Sequence, residues 1–299
     1  MRTIPFILIL LFSVTVFNSY AQGYLKSEYL LSSSFKDKER NKIGSGDLMK
    51  YSGGFNIPLS TKLNDLGQPT AWSVSLYGAY GILNNKDMTE NINPDEIINT
   101  SLNLTHVRPI SKKWSLMVSL GGGVYAAPDD ITAKSILFNG GAIFVYKVRD
   151  NLDLGIGSGL TNAYGVPLIM PMFVFNWRLS GKYEVNIDIA SGMQIAAAIK
   201  FSDRFKLKLT AIEFDGMSSV VEVDGKSMIY ASTNIKSFLS PEFKIGKSST
   251  LYLGGGGTWV RSVTFAKRSF KGFLDNFKDD KSMDFNPTGY FVAGFRYGF

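Results

Sequence analysis

The chain has 299 residues, of which 45% are hydrophobic, 13% aromatic and 19% charged, and its formal net charge is +7. The absence of cysteine excludes disulfides, thiolate metal sites and lipid attachment through cysteine, and a single histidine is too little for most zinc sites and acid–base dyads. A mean hydropathy near zero is too low for a bundle of membrane helices and favours strands that are apolar on one side only.

The N-terminus has the pattern of a secretory signal peptide. Arg2 supplies a positive charge, residues 4–17 form an apolar stretch too short to span a bilayer, and a small, polar segment ends at Ala21. We predict cleavage after Ala21, which gives a signal peptide at 1–21 and one domain at 22–299; an uncleaved anchor is the alternative. No run of about 18 apolar residues follows Ala21, so we expect an exported protein without a spanning helix.

Several segments alternate between apolar and small or polar residues, as strands with one apolar face do. Even positions from Trp72 to Ile82 are apolar or glycine, and similar alternation starts at Trp114, Tyr183 and Phe205. Strands of about 9–11 residues with aromatic ends are typical of a membrane-spanning barrel, and a wet lumen accepts mid-strand charges more easily than a sandwich core does. The aromatic strand ends are Trp72, Trp114, Trp177, Phe205 and Trp259.

Short turn-like segments alternate with longer polar segments, as periplasmic turns and outer loops do in outer-membrane barrels. The count between them predicts an all-β fold, an antiparallel up-and-down transmembrane barrel of about fourteen strands with both ends in the periplasm. The short connection at 191–192 and the long segment 226–245 leave twelve strands as the alternative. The predicted periplasmic turns are 61–69, 109–113, 149–151, 180–182, 202–204 and 246–249, and the predicted outer loops are 37–46, 84–95, 128–134, 165–167, 191–192, 216–225 and 266–285.

The last predicted strand, 290–299, alternates and ends on an aromatic residue. It resembles the C-terminal signal of Gram-negative outer-membrane β-barrel proteins, with Gly294 followed by aromatics at Tyr297 and Phe299, although Val292 stands where a polar residue is usual. The resemblance implies that the barrel-assembly machinery recognises this strand, which then closes the barrel against the first. The chain is similar to uncharacterised outer-membrane barrel families of about 300 residues, which implies the cell outer membrane and no particular activity.

No catalytic constellation is recognisable. His106 lies in an apolar series just before the predicted periplasmic turn at Pro109, whereas outer-membrane lipases and proteases use a histidine near the outer rim; we interpret it as an interfacial residue. The carboxylate pairs Asp129–Asp130 and Asp279–Asp280 lie in charged loops without the ligand spacing of a calcium site. The glycine runs do not precede a predicted helix, which argues against a phosphate-binding loop. We interpret them as positions where strands bend. We expect no enzyme activity, no cofactor and no metal.

Two functions are the main hypotheses for such a barrel. The leading hypothesis is a passive or facilitated channel, because fourteen strands can enclose an aqueous lumen whose charges tune selectivity. The alternative is a non-conducting structural or interaction barrel, plugged by inward Tyr77, Tyr125 and Tyr290; a membrane enzyme and a soluble periplasmic sandwich are further alternatives. The predicted lumen-facing residues are Lys50, Asn103, Arg178, Glu184, Asp188, Lys206, Lys208 and Arg296.

Two basic clusters lie in predicted outer loops. Lysine and arginine side chains that face anionic head groups gain charge-assisted hydrogen bonds, so we expect these clusters to contact lipopolysaccharide phosphates. Stacking aromatics are not interleaved with them, which argues against nucleic acid. The clusters consist of Lys36, Lys38, Arg40, Lys42, Lys267, Arg268 and Lys271.

Overall fold

The structure is a computed structural model. The predicted signal peptide up to residue 20 and the terminal Phe299 lie outside its described residues. Within the part of the chain that it describes, no helix is both long and apolar enough to cross a membrane. It describes residues 21–298 except 66, 88, 90–91, 163–167, 190–192, 224 and 273–281.

One antiparallel sheet contains every strand, and consecutive strands are neighbours around it. Two short 3₁₀ turns, Pro128–Asp130 and Ala133–Ser135, lie in one connection. The strands are β1 (Gln22–Lys36), β2 (Lys42–Leu63), β3 (Pro69–Asp87), β4 (Glu96–Pro109), β5 (Trp114–Ala126), β6 (Ile136–Arg149), β7 (Leu152–Thr161), β8 (Leu168–Leu179), β9 (Tyr183–Asp188), β10 (Gln194–Lys200), β11 (Phe205–Val223), β12 (Lys226–Ile245), β13 (Ser249–Lys267), β14 (Met283–Phe285) and β15 (Thr288–Tyr297).

The sheet closes into a barrel because β15 pairs with both β13 and β1. The short β14 also lies between β13 and β1, so β14 and β15 are two parts of one wall strand and the wall has fourteen positions. This confirms the predicted up-and-down barrel of fourteen strands over the twelve-strand alternative. The long segment 226–245 is a single strand, β12.

The outer face of the wall is apolar. Leu120, Ile169 and Leu253 have 69%, 74% and 62% of their surface exposed, and they belong to a continuous outward-facing set. An apolar band of this extent is unfavourable in water and suits a lipid environment. Its aromatic members form stacked or tilted pairs near one end of the barrel, where an interfacial girdle is expected. These pairs are Trp72–His106, Trp114–Tyr146 and Phe205–Phe243.

Both ends of the wall lie at the same end of the barrel, where Gly23 pairs with Tyr297. We call this the terminal end and the opposite one the loop end. All six predicted short turns connect strands at the terminal end. At the loop end, the prediction of an outer loop over 216–225 is wrong, because β11 runs to Val223 and β12 begins at Lys226. The loops predicted at 37–46 and 266–285 are also partly strand, since β2 begins at Lys42 and β14 covers Met283–Phe285.

The loop-end half of the β11–β12 hairpin folds into the barrel. β10 pairs with β11 as far as Gln194 and Glu213, and the Phe214 N–H still donates to the Met193 oxygen; beyond Phe214 the described residues give the edge of β11 no hydrogen bond to this neighbour. One face of the hairpin then packs Met217 into the core of β2 and β3, and the other packs Val220 against Leu137 of β6. A strand with both faces buried inside the barrel is a partition of the lumen.

This partition makes a smaller closed unit at the loop end, from β4 through β1 and β14 to β11. β4 and β11 lie on opposite sides of the fourteen-position wall yet contact each other directly. The unit has eight strands, and barrels of about eight strands are just wide enough for side chains to fill. Its buried interior is mainly apolar and also encloses the Arg261 guanidinium, which donates to the backbone oxygens of Gly46 and Asp47. The apolar core consists of Leu30, Phe35, Leu48, Ala79, Leu83, Ile97, Met217, Tyr230, Phe238, Val263, Phe285, Tyr290 and Val292.

Candidate lumen site

Six charged side chains meet inside the lumen at mid-height, beside Tyr290 of the apolar core. They come from β1, β2, β11 and β12, and the alternation of each strand points them inward. Three are lysines and three are carboxylates, so the formal charges balance. We call this set the charge belt; it consists of Lys26, Glu28, Lys50, Glu213, Asp215 and Lys236.

Lys236 is the centre of the charge belt. Its Nζ lies 2.6 Å from Glu28 Oε1, 2.8 Å from Asp215 Oδ2 and 3.2 Å from Glu213 Oε1. It also lies 4.9 Å from the centre of the Tyr290 ring, whose hydroxyl donates a hydrogen bond to Glu28. The lysine therefore ties β12 to a carboxylate of β1 and to two carboxylates of β11.

The other two lysines link strands that are not neighbours in the wall. Lys50 Nζ of β2 donates to both oxygens of Asp215 at 2.6 and 2.7 Å. Lys26 Nζ of β1 lies 3.2 Å from both Glu28 Oε2 and Glu213 Oε1. β11 and β1 are separated by β12, β13 and β15. Charge pairs across such a gap draw the opposing walls together.

Three members of the belt are almost completely removed from solvent. Glu28, Lys50 and Lys236 are 1%, 2% and 0% exposed. An isolated buried charge costs several kcal/mol, so burial of these groups requires that each has an opposite charge beside it. The carboxylate oxygens of Glu28, Glu213 and Asp215 lie within 4.8 Å of one another, a spacing that a cation would accept. Three ammonium groups already lie among them, so the arrangement is an internal ion-pair network.

Asn99 of β4 joins the inward hairpin to the opposite wall. Its Nδ2 donates to the backbone oxygen of Ser218, and its Oδ1 accepts from the Ser218 backbone N–H at 3.1 Å. Because β11 has left β10 at this height, these backbone groups would otherwise lack a strand partner. A carboxamide carries both a donor and an acceptor, and can satisfy a free strand edge as a neighbouring strand would.

A polar cavity of about 180 Å³ lies in the lumen between the charge belt and the terminal end. Lys208, Arg296, Glu242 and Tyr252 line it together with Lys26 and Glu213 of the belt. Below it, Lys206 lies 3.0 Å from Glu184 and 3.4 Å from Glu242, and Glu184 also pairs with Lys200 at 2.7 Å. Arg296 pairs with Glu242. The terminal half of the lumen therefore carries more bases than acids.

The residues predicted to face the lumen lie in several places. Lys50 belongs to the belt and Lys208 lines the cavity, while Glu184, Lys206 and Arg296 form the network below it. Three others lie elsewhere along the wall: Arg178 pairs with Asp153 at 2.9 Å, Asn103 donates to Ser101 Oγ at 3.3 Å, and Asp188 pairs in register with Asn176 and Gln194. Their role in selecting a solute stays a prediction.

Five of the six belt residues and Asn99 are missing from the sequence-based site. Glu28 and Asp215 carry a signal that could have found them, since an acidic residue in mid-strand at an inward position needs a cation nearby. The identity of that cation depends on contacts across the lumen, which strand alternation does not encode. Asn99 carries no such signal, because an inward asparagine in a barrel strand is unremarkable.

The other residues that were considered from the sequence, His106 and the predicted assembly signal, lie outside the lumen. His106 stacks on Trp72 with ring centres 4.2 Å apart, and its Nδ1 is 3.1 Å from the Ala71 oxygen, in the aromatic girdle at the terminal end. Among the predicted assembly residues, Gly294 pairs in register with Lys26 and Tyr297 with Gly23, at the closure of the barrel. Phe299 is outside the described residues.

The loop cations already have some internal partners. Arg40 forms an ion pair with Asp284, and Arg268 donates to the Lys134 backbone oxygen at 2.8 Å. These contacts connect different loop-end segments of the protein. Lipopolysaccharide contact by the two basic clusters stays a prediction.

The family model described as Domain of unknown function (DUF6268) matches residues 17–298. A comparison with curated proteins gives no significant match. Among solved structures, the chain is similar to the NanC porin (7% identity, 91% of this chain and 98% of that chain, TM-score 0.30). It is similar to the toluene transporter TodX of Pseudomonas putida (10% identity, 96% of this chain and 91% of that chain, TM-score 0.34). It is also similar to the outer membrane protease OmpT of Escherichia coli (10% identity, 93% of this chain and 95% of that chain, TM-score 0.24). Likenesses this distant carry no functional argument.

Proposed function

We propose, from the premise that the chain belongs to the family described as Domain of unknown function (DUF6268), that it is an outer-membrane barrel whose lumen is a passage closed at rest. The observation that carries the proposal is the inward β11–β12 hairpin, which touches the wall opposite it and rests on the charge belt. Strands of the barrel wall would therefore close the lumen.

The outer surface supports the membrane location. The apolar band and the aromatic girdle match a bilayer and one of its interfaces, and the ionised groups in mid-strand lie inside. In outer-membrane barrels the short turns face the periplasm. We therefore propose that the terminal end faces the periplasm and that the loop end faces the cell exterior.

The passage would run between the hairpin and strands β5–β10. Several inward positions on this side are small or polar and partly exposed, as at Ser119, Asn139 and Gly157, whereas others, such as Ile143 and Val174, are apolar and buried. Gly157 adds no side chain to the lumen. Strands β7–β10 are also the shortest of the complete wall strands, at 6 to 12 residues.

The hairpin makes few contacts with the wall opposite it, although β12 stays paired with β13 from Met228 onwards. The side of the hairpin facing β4–β6 makes two hydrogen bonds with Asn99 and packs in a cluster of three buried residues, Leu137, Val220 and Ile229. Hydrogen bonds contribute about 0.5–1.5 kcal/mol each, and states a few kcal/mol above the ground state are populated at about 0.1–10%. The charge belt lies at the base of the hairpin, so the tip can move while the belt stays intact.

A specific observation favours a second function, a non-conducting structural barrel. The eight-strand unit has a filled core, and the belt beside it leaves Glu28 and Lys236 almost without solvent contact. If the hairpin never leaves the opposite wall, such a barrel stiffens the envelope or presents its loops. We propose no enzyme activity, because His106 stacks on Trp72 in the outer aromatic girdle and faces away from the lumen.

Single-channel recording in planar bilayers distinguishes the two functions. For the wild type we expect long closed periods with brief openings. Asn99→Ala removes both hydrogen bonds to Ser218, so we expect a higher open probability with unchanged unitary conductance. Asn103→Ala is the matched control, since among the described residues the side chain of that asparagine donates to Ser101 on its own strand and to no other group. Persistent silence in all three proteins, with insertion verified by protease protection, would favour the structural barrel.

A further inference from the structure

Lys208 is the one cation of the lumen cavity to which the described residues give no partner. The other two cations that line the cavity are engaged: Lys26 lies 3.2 Å from both Glu28 and Glu213, and Arg296 pairs with Glu242. Within the described part of the chain, no carboxylate lies within ion-pair distance of Lys208 Nζ. The cavity therefore contains an ammonium group that forms no ion pair with the described residues, although the carboxylates of Glu213 and Glu242 line the same cavity.

A second donor in the same cavity also lacks a partner. Arg296 Nε is buried and makes no hydrogen bond within the described residues. The guanidinium carbon lies 5.1 Å from the centre of the Tyr252 ring, which holds the side chain at the cavity wall. An unbonded Nε–H beside an unpaired ammonium is a donor set suited to an acceptor with several oxygens.

The surrounding charges favour an anion. The charged side chains that line the cavity are three bases (Lys26, Lys208 and Arg296) and two acids (Glu213 and Glu242), an excess of one positive charge. A low-dielectric wall around one sign of charge concentrates the opposite ion. The charge belt above is balanced, so the excess lies below it and towards the terminal end.

The volume of the cavity limits the size of the anion. It measures about 180 Å³, and a cavity of about 150 Å³ accommodates a molecule as large as benzene. Phosphate, sulfate and short carboxylates are within this size, and an oligosaccharide is not. We propose that this cavity binds a small oxyanion between Lys208 and Arg296. The proposal names a solute class for the passage proposed above and rests on that function for its physiological meaning.

Calorimetric titration of the full barrel in detergent tests the site without requiring passage. Inorganic phosphate and acetate are the probes, each against a chloride-matched buffer. We expect saturable binding of at least one of them, weakened tenfold or more in Lys208→Gln and unchanged in Lys244→Gln, which removes an exposed lysine at the end of β12. Binding of phosphate alone identifies a tetrahedral oxyanion site, and binding of acetate as well identifies a general oxyanion site.

Two results would overturn the site: no saturable heat with either probe for a barrel whose heat-dependent gel mobility shows that it is folded, or equal affinities for wild type and Lys208→Gln. Lys208→Arg provides a rescue, because it restores the positive charge and should recover most of the binding. The result of the titration does not depend on the result of the conductance experiment. Binding without conductance describes an anion-binding closed barrel, and conductance without binding leaves a passage that lacks this site.

Discussion

Removal of Lys236 is the sharpest perturbation of the charge belt, because this one ammonium group contacts all three carboxylates of the belt. In Lys236→Met, two lysines remain beside three carboxylates, which leaves one uncompensated negative charge in a buried position. Loss of one partner of a buried ion pair costs about 3–5 kcal/mol. We expect the free energy of unfolding to fall by that amount.

A second variant separates charge balance from packing. Glu28→Gln combined with Lys236→Met leaves two lysines and two carboxylates, and the glutamine still accepts the hydrogen bond from Tyr290. Since the belt is neutral again, the double variant should recover at least half of the stability lost in Lys236→Met. Lys244→Met, at an exposed position of the same strand, is the control and should change the stability by less than about 0.5 kcal/mol.

Guanidinium unfolding of the barrel in lipid vesicles, followed by tryptophan fluorescence, measures these differences. Contacting residues couple by about 0.5–3 kcal/mol in such cycles, so the recovery is within reach of the measurement. The reasoning is refuted if Lys236→Met unfolds at the wild-type denaturant concentration, or if the double variant is less stable than the single one. Either result would mean that the belt charges are hydrated and do not hold the walls together.

Three further predictions concern other parts of the molecule. In Asn99→Ala the Ser218 backbone loses both side-chain partners, so we expect local opening to become easier by about 1–3 kcal/mol, seen as faster hydrogen exchange of that amide. A Cβ at Gly81 would lie 2.6 Å from Met217 Sδ, so Gly81→Leu should destabilise the barrel by about 1–3 kcal/mol, and Met217→Ala should restore part of the loss in heat-modifiability assays. Charge reversal in the basic clusters should reduce the amount of lipopolysaccharide that co-purifies with the barrel, and added salt should weaken this difference. The variants are Lys36→Glu, Lys42→Glu, Lys267→Glu and Lys271→Glu. An unchanged amount of bound lipopolysaccharide would contradict a contact with its phosphates.

Alternation predicts which face of a strand is apolar, and this was sufficient for the barrel and its strand count. The outward series that begins at Trp72 is the clearest case, since it needs only the period of two. Turn composition was equally informative at the terminal end, where every predicted turn connects two strands. Both features depend on local sequence alone.

The closure of the lumen depends on information that is not local. The glycines, serines and acidic groups of residues 216–225 predict a loop, yet Met217 and Val220, on opposite faces of this segment, are both covered by other parts of the barrel. The partners of Glu28 lie on β12 as well as on its own strand. Nothing in the spacing of β1 indicates which distant strand crosses the lumen, so the charge belt emerges only from the folded chain.

The most direct test of the closure is a cross-link between the hairpin and the opposite wall. The chain has no cysteine, so Leu137→Cys with Val220→Cys creates one thiol pair within a packed cluster, and mass spectrometry reports whether the disulfide has formed. In planar bilayers we predict no openings of the oxidised barrel and brief openings after reduction, as in the wild type. Steady conductance through the oxidised barrel would contradict the claim that the inward hairpin closes the passage.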